Sequence, residues 1–171
     1  MSEAGTKKST ENLPEPRFEN GKAMLMAGTR VHYTSETMND IPPQWEKFAK
    51  HIGKVPNEVG RAAYGVGFNF VKTPFGFDYM CAVEISAAGQ LPSDFTTAEI
   101  PAQRYAIFRH EAHVSKIRDT IDAIWNRWLP NSGHIALVGH PEKPYMIERY
   151  GEGFDPQKGM GDIELWIPLA S

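Results

Sequence analysis

The chain of 171 residues contains a single cysteine, Cys81, which excludes an intramolecular disulfide. Free thiols are typical of proteins that work in a reducing compartment. The N-terminus also lacks the apolar segment of a signal peptide, and no apolar run approaches the roughly 20 residues that span a membrane. These absences predict a cytoplasmic protein that makes no contact with a membrane.

The sequence has no excess of basic residues. Its 18 lysines and arginines are outnumbered by 21 aspartates and glutamates, which gives a formal net charge of −3. Proteins that bind nucleic acid usually carry a basic surface, and no helix-turn-helix pattern is visible in a basic setting. We therefore expect no direct binding to DNA, whereas the negative charge is compatible with a cationic ligand.

Motifs for conventional catalysis are missing as well. The sequence has no G-x-S-x-G motif and no glycine-rich phosphate loop. No histidine stands at zinc-site spacing from cysteines or carboxylates, so we interpret His110 and His113 as surface residues. The sequence thus predicts no catalytic residue, no metal ion and no cofactor, and it favours a binding protein over an enzyme.

The composition is that of an ordinary globular protein, with 41% hydrophobic and 23% charged residues. Residues 1–17 are polar and contain prolines, which predicts a disordered tail followed by one domain over residues 18–171. Apolar residues recur twice at helical spacing within this domain, first at Ile41, Trp45, Phe48 and Ile52, and again at Ile117, Ile121, Ile124 and Trp128. Gly53 and Gly133 are expected to end the two helices.

Strands are predicted on both sides of each helix. In the first half they cover residues 23–33, 62–71 and 77–86, and in the second half residues 104–108, 134–138, 145–150 and 163–168. The halves also align at an offset of 80 residues, which pairs Ile41 with Ile121, Trp45 with Trp125, Gly53 with Gly133 and Glu84 with Glu164. We interpret residues 18–95 and 96–171 as approximate repeats of one β-α-β-β unit.

This duplication predicts an α+β fold with pseudo-twofold symmetry. The strands of the two units pair into one antiparallel sheet, and both helices lie on the same face of it. The groove between the helices is then a central cleft, which is the natural place for a ligand.

Glu148 is the residue expected to carry the chemistry of the cleft. Strand alternation in YMIERY places Met146, Glu148 and Tyr150 on one face. If that face lines the cleft, a carboxylate, an aromatic ring and an adaptable thioether form a site for a lipophilic cation. The alternative is that Glu148 pairs with a neighbouring arginine on the solvent face of an edge strand.

Two further glutamates, Glu84 and Glu164, lie in otherwise apolar strands, where an unpaired buried acid is costly. We expect both to face solvent on the open side of the sheet. The alternative is that they point into the cleft, and Glu164 is the better candidate because Trp166 shares its face. The other aromatic residues near the predicted cleft are Trp45, Tyr64, Phe68, Tyr79, Phe108, Trp125 and Trp128. Of these, Trp45, Tyr64, Phe68 and Trp128 are the candidates for ligand contact, and for each of them packing in the core is the alternative.

Several segments of the second half resemble the GyrI-like domain, the effector-binding part of many AraC-type and MerR-type bacterial regulators. They are IPAQRYAIF, WLPNSG, IERY and the closing segment DIELWIPL. The first half agrees with the looser N-terminal pattern of the family through PPQWEKFAKHIG and YGVGFNF. The resemblance extends from about residue 18 to about residue 169.

The resemblance implies a duplicated β-α-β-β fold with a hydrophobic cleft and a pocket glutamate that corresponds to Glu148. It implies a free-standing domain that binds hydrophobic, cationic small molecules and has no DNA-binding module. Two alternatives come from the same family: a protein that modulates gyrase, and a hydrolase of cyclopropane-containing electrophiles. A protein partner and a homo-oligomer are both left open. Glu152 lies between two glycines where the family often has a second acid, so it is a poor candidate for the pocket.

Overall fold

Eight strands and two helical stretches make up residues 13–170, the part of the chain that the computed structural model describes. The strands are β1 (Arg17–Gly21), β2 (Met24–Thr34), β3 (Ala63–Val71), β4 (Gly76–Ile85), β5 (Thr96–Ile100), β6 (Gln103–His110), β7 (Pro144–Tyr150) and β8 (Ile163–Pro168). The helices are α1 (Ile41–Ala49), α2 (Ile117–Ala123) and α3 (Leu129–Ser132), with a π-helical segment (Ile124–Trp128) joining the last two. Short 3-10 turns, Met38–Asp40 and Val114–Lys116, precede α1 and α2.

All eight strands form one antiparallel sheet in the order β1-β6-β8-β7-β3-β4-β2-β5. In this order each strand of the first repeat lies as far from one end of the sheet as its equivalent in the second repeat lies from the other end. The equivalent pairs are β1 and β5, β2 and β6, β3 and β7, and β4 and β8. This palindrome confirms the duplication inferred from the sequence. The repeat is one strand longer than predicted, because β1 and β5 each begin a unit. These strands are short and mostly exposed, so they lack the alternating apolar pattern by which a strand is recognised.

The sheet is strongly curled. β5 lies at one end of the sheet and β6 is second from the other end, yet only residues 101 and 102 join them. A flat sheet would separate these strands by roughly 29 Å, whereas the link spans at most about 11 Å. Residues 22 and 23 join β1 to β2 in the same way. The two links therefore hold the ends of the sheet together as a half-barrel.

The two faces of the sheet have different cores. The inner face carries one apolar cluster that includes Met24 of β2 and Tyr105 of β6, the strands that lie second from the two ends of the sheet. On the outer face α1 packs through Phe48 against β2 and β4, and the second helical stretch packs through Ile124 against β6 and β8. Both helical stretches thus lie on one face, as predicted, with β3 and β7 between them.

Three details differ from the prediction: the end of α1, residues 134–138, and His110, which is 4% exposed rather than a surface residue. α1 ends at Ala49, before Gly53, and Ile52 lies in the turn that follows but still packs on the core. Residues 134–138 form no strand; Ala136 makes an isolated bridge to Leu169, and Ile135 is 71% exposed. An apolar run on the surface mimics a strand in sequence, because strand propensity does not reveal whether a neighbouring strand is available.

The predicted tail, residues 1–17, lies largely outside the described residues, which begin at residue 13. Within the described part, Leu13 packs against the core beneath the second helical stretch and β1 begins at Arg17. No helix of residues 13–170 is long and apolar enough to cross a membrane.

Candidate functional site

Glu148 lies near the middle of the sheet, on the outer face between the two helical stretches. Its strand, β7, pairs with β3 on one side and β8 on the other, where Gly65 and Leu165 are its direct neighbours. The residue is 6% exposed. The alternative that Glu148 lies at the solvent face of an edge strand is therefore wrong.

Two tyrosines hold the carboxyl group by the same oxygen. Tyr79 of β4 donates a hydrogen bond of 2.6 Å to Glu148 Oε1, and Tyr150 donates one of 2.9 Å to the same atom. The indole Nε1 of Trp45, on α1, donates a 2.9 Å bond to the Tyr79 hydroxyl. Because an indole nitrogen can only donate, the hydroxyl proton of Tyr79 is directed to Glu148.

Two glycines of β3 leave room for this arrangement. A Cβ atom at Gly65 would overlap the Tyr79 hydroxyl and would lie 2.8 Å from Glu148 Oε1. A Cβ atom at Gly67 would lie 2.7 Å from the ring of Tyr145. On this face the tract YGVGFNF therefore carries no side chain at its two glycines. It forms a flat floor over which the side chains of Tyr79, Tyr145 and Glu148 lie.

Aromatic rings from both repeats surround this floor. Trp45 packs edge-on against Tyr150, with ring centroids 5.4 Å apart, and Phe154 lies 5.1 Å beyond Tyr150. On the other side Trp125, from the π-helical segment, lies 6.2 Å from Tyr145. Trp45 and Trp125 are the pair related by the 80-residue offset, so each repeat contributes one tryptophan to the site.

Among residues 13–170 the buried acid Glu148 has no counter-ion. No basic side chain of residues 13–170 forms an ion pair with Glu148, and burial raises its pKa above the ordinary value, although the bonds from Tyr79 and Tyr150 oppose this effect. Burial also raises the pKa of both tyrosines, and the nearby carboxylate adds to this rise. The pKa values of Cys81 and Tyr145 are raised by the same two causes.

The structure brings some of the predicted site residues together. Tyr150 and Trp45 contact the Glu148 network directly. Met146 lies on the same strand face and packs into the core beneath the second helical stretch. Trp128 packs against other rings: its ring lies 4.9 Å from that of Phe108 and stacks on His134.

Four other predicted site residues lie on the inner face of the sheet, opposite Glu148, since strand alternation places them there. They are Tyr64 and Phe68 of β3 and Glu164 and Trp166 of β8. Contact with a ligand bound at Glu148 is therefore not expected for them.

Glu164 is a paired acid. It accepts a 3.1 Å bond from Trp166 Nε1 and forms ion pairs with Arg17 at 2.8 Å and Arg149 at 3.7 Å. Its counterpart in the first repeat, Glu84, lies 3.6 Å from the ammonium of Lys22. The expectation that both glutamates avoid the cleft agrees with this placement, but both are mostly covered rather than open to solvent.

Tyr79 and Trp125, which the sequence places near the cleft without selecting them, belong to this site: Tyr79 bonds to Glu148 and Trp125 lies beside Tyr145. Tyr145, which lies over Gly67, is a residue that the sequence analysis did not name. Alternation in FDYMCAVEIS puts Tyr79 on the face that packs under α1, and the offset of 80 makes Trp125 the partner of Trp45.

The predicted central cleft is closed at Glu148, because the surrounding rings cover this residue and leave it 6% exposed. Two surface depressions lie elsewhere: one of about 380 Å³ beside Arg109 and Asp162, and one of about 550 Å³ beside Met24 and Pro101. Glu148 lines neither of them. Residues 13–170 also hold no cluster of three or more histidine, cysteine or acidic side chains that could bind a metal ion.

Comparison with known proteins identifies the family to which this chain belongs. A family model described as the GyrI-like small molecule binding domain matches residues 14–170, nearly the whole chain. The chain belongs to the GyrI-like family. The resemblance seen in the sequence is thereby confirmed, together with the α+β fold of a curled antiparallel sheet and two helical stretches.

Relatives of this GyrI-like domain include transcription regulators. It is 26% identical over 143 residues to the transcriptional regulator BrlR of Pseudomonas aeruginosa, and the match covers 81% of this chain but only 49% of BrlR. The chain thus spans about half the length of that relative.

Solved structures share the fold at low sequence identity. SAV2435 bound to tetraphenylphosphonium is 15% identical, with a TM-score of 0.68 over 92% of this chain and 95% of that one. A putative transcription regulation protein of Staphylococcus aureus MU50 is also 15% identical, with a TM-score of 0.69 and coverage of 92% and 99%. EcmrR in complex with DNA is 12% identical, with a TM-score of 0.66 over 99% of this chain and 63% of EcmrR.

Proposed function

We propose that this GyrI-like domain binds lipophilic organic cations at Glu148, between α1 and the second helical stretch. The observation that carries the proposal is a carboxyl group that is 6% exposed and has no basic partner among residues 13–170. Burying a carboxylate without a counter-charge is unfavourable. A cationic ligand supplies the missing charge, and its apolar groups replace water around the site.

The surroundings of Glu148 favour a cation with a large apolar surface. The rings of Trp45 and Tyr150 meet edge-on at 5.4 Å on one side, and Trp125 and Tyr145 lie 6.2 Å apart on the other. Aromatic faces attract cations through their quadrupoles, and the attraction is larger where water is excluded. A strongly hydrated primary ammonium gains less here, because it would exchange several water molecules for few acceptors.

The comparisons support the same ligand class. The family model describes a small-molecule-binding domain, and the structural neighbour SAV2435 is bound to a lipophilic cation, tetraphenylphosphonium. We extend that ligand class to the present chain because Glu148 is a buried acid with no basic partner in the described residues. Related regulators such as BrlR are consistent with an effector-binding role.

Calorimetric titration with tetraphenylphosphonium tests the proposal. In Glu148→Gln the amide oxygen can still accept the bonds from Tyr79 and Tyr150, so the change removes charge with little loss of shape. We expect this variant to bind the cation about 30-fold or more weakly, because a buried charge pair is worth several kcal/mol. Glu164→Gln is the matched control on the opposite face and should change the affinity less than about twofold.

Two results would contradict the proposal. One is the absence of saturable binding to the wild-type protein. The other is equal weakening by the substitutions at Glu148 and Glu164, which would mean that overall charge rather than the cleft attracts the cation.

A further inference from the structure

The two oxygens of Glu148 are not equivalent. Oε1 accepts hydrogen bonds from both Tyr79 and Tyr150, at 2.6 Å and 2.9 Å, and neither bond uses Oε2. A carboxyl oxygen has two lone pairs, so these donors occupy the acceptor capacity of Oε1. Oε2 is the oxygen left for a ligand.

The hydrogen-bond chain from α1 also fixes where a proton on Glu148 resides. The indole of Trp45 donates to the Tyr79 hydroxyl at 2.9 Å, so the single proton of that hydroxyl is directed to Oε1. If Oε1 itself carried a proton, that hydrogen would lie close to the hydrogen donated by Tyr79, and the two would repel each other. When Glu148 is protonated its proton therefore lies on Oε2, and this oxygen changes from an acceptor into a donor.

The titratable groups that face Glu148 come from two strands. They are Tyr79 and Cys81 on β4, and Tyr145 and Tyr150 on β7 itself. The neighbouring residues on β3 and β8, Gly65 and Leu165, do not titrate, and neither does Trp45 of α1 or Trp125 of the π-helical segment.

Burial raises the pKa of each of these four groups, so they stay neutral at neutral pH. Among the described residues around the site, Glu148 is thus the group whose charge changes.

We propose that the site between α1 and the second helical stretch takes two classes of ligand at the same atom, Oε2 of Glu148. Lipophilic cations bind when the residue is ionised, and neutral molecules of similar aromatic shape that carry a strong hydrogen-bond acceptor bind when it is protonated. The inference rests on the proposed function, since both classes use the same site. Burial raises the pKa of Glu148, and this brings the protonated form to higher pH than in an exposed glutamate.

A matched pair of probes tests this inference: tetraphenylphosphonium, which is cationic, and triphenylphosphine oxide, which is neutral and carries one strong acceptor oxygen. Both are titrated into the wild-type protein between about pH 5 and about pH 8.5. The cation should bind more tightly as the pH rises, by up to about tenfold per pH unit below the pKa of Glu148. The oxide should bind more weakly as the pH rises, because the donor on Oε2 is lost.

Glu148→Gln is the second arm of the experiment. Its amide oxygen takes the place of Oε1 and its NH2 group takes the place of protonated Oε2. This variant should bind the oxide with the same affinity across the pH range and should lose the response to the cation. Circular dichroism at each pH confirms that both proteins stay folded.

The outcomes separate the inference from the proposed function. If the cation binds but the oxide does not, or if both show the same pH trend, the two-class inference is overturned while the cation site stands. If the oxide binds to the wild-type protein and the variant with the same pH trend, Oε2 is not its donor and the inference again fails. If neither probe binds, the proposed function fails with it.

Discussion

The Tyr79 hydroxyl donates a 2.6 Å hydrogen bond to Glu148 across 69 residues of sequence. The two residues belong to different repeats, and β3 lies between their strands. The bond is possible because the intervening residue of β3 is Gly65, which leaves the face of the sheet open at that point. The candidate site is thus a product of the pairing between repeats, and neither repeat contains it alone.

Gly65→Ala tests the need for this opening. Its methyl group would overlap the Tyr79 hydroxyl and crowd Glu148, so either the pair separates or the sheet shifts. We expect a loss of about 1–3 kcal/mol in the free energy of unfolding, the usual cost of overpacking a core. Binding of tetraphenylphosphonium should weaken as well. Urea denaturation and calorimetric titration measure the two effects.

Gly76→Ala is the control for the conformational effect of alanine in a strand. At Gly76 a methyl group would lie 3.2 Å from the ring of His32, whose side chain is 63% exposed and can move aside. This variant should stay within about 1 kcal/mol of the wild type. If both glycine variants behave alike, Gly65 has no special role in opening the site.

The pH dependence of stability tests the burial of Glu148. Burial raises its pKa from the ordinary value near 4.5, so the folded state binds more protons than the unfolded state between the two values. The stability contributed by Glu148 is complete below the ordinary pKa and is lost as the pH rises through the raised one. Glu148→Gln has no such loss.

The variant should accordingly be as stable as the wild type near pH 4 and more stable near pH 8, by about 1.4 kcal/mol for each unit of pKa elevation. Thermal unfolding across that range measures the difference. A wild-type protein that gains stability relative to the variant as the pH rises would show that Glu148 is favourably ionised in the folded state.

Much of the fold is predictable from the sequence, because the helical stripes and the strand alternation are local patterns. The face shared by Met146, Glu148 and Tyr150 follows from alternation alone, and the repeat follows from the 80-residue offset. The polar edge strands β1 and β5 escape prediction since their residues do not alternate between apolar and polar. Their pairing is set by the curl of the sheet, which no local pattern encodes.

The site is less predictable than the fold because it depends on register between strands that are distant in sequence. Tyr64 and Trp166 are aromatic residues of central strands, and only the pairing of Gly65 and Leu165 with Glu148 shows that they lie on the opposite face. Tyr79 meets Glu148 for the same reason. Residue type identifies the candidates, whereas register selects among them.

Two buried tyrosines offer a matched test of the hydrogen-bond network. The Tyr105 hydroxyl, in the inner core, has no hydrogen-bond partner among the described residues, whereas the Tyr33 hydroxyl donates a 2.6 Å bond to Gln44 Oε1. Tyr105→Phe removes an unsatisfied polar atom, so it should leave the stability unchanged or raise it by up to about 1 kcal/mol. Tyr33→Phe should lower the stability by about 1 kcal/mol or more.

Denaturant titration of both variants gives the comparison. A clear loss of stability in Tyr105→Phe would mean that this hydroxyl has a partner, such as an internal water molecule. Equal effects of the two substitutions would show that the loss of the hydroxyl group, rather than its bonding, determines the change.

Gln44 is expected to fix the position of α1 on the sheet, and with it the position of Trp45 beside the Glu148 site. Its side chain is buried, accepts the bond from Tyr33, and donates to the backbone oxygen of Thr29 at 2.9 Å and that of Tyr79 at 3.3 Å. At the 80-residue offset the second repeat has Ile124, which is fully buried and apolar. The fold itself therefore accepts an apolar residue at this position, and the polar contacts are a feature of α1.

Gln44→Leu preserves the bulk of the side chain but removes the 2.6 Å acceptor of the Tyr33 hydroxyl, which keeps only the longer 3.3 Å bond to the Asp40 carbonyl, and removes the side-chain donor to the Thr29 carbonyl. We expect a loss of about 2 kcal/mol in unfolding free energy, and about threefold to tenfold weaker binding of tetraphenylphosphonium as Trp45 loses its fixed position. The affinity is measured well below the melting temperature, so that incomplete folding does not contribute. Unchanged affinity in a destabilised variant would restrict Gln44 to a structural role, since α1 would then tolerate displacement without any effect on the site.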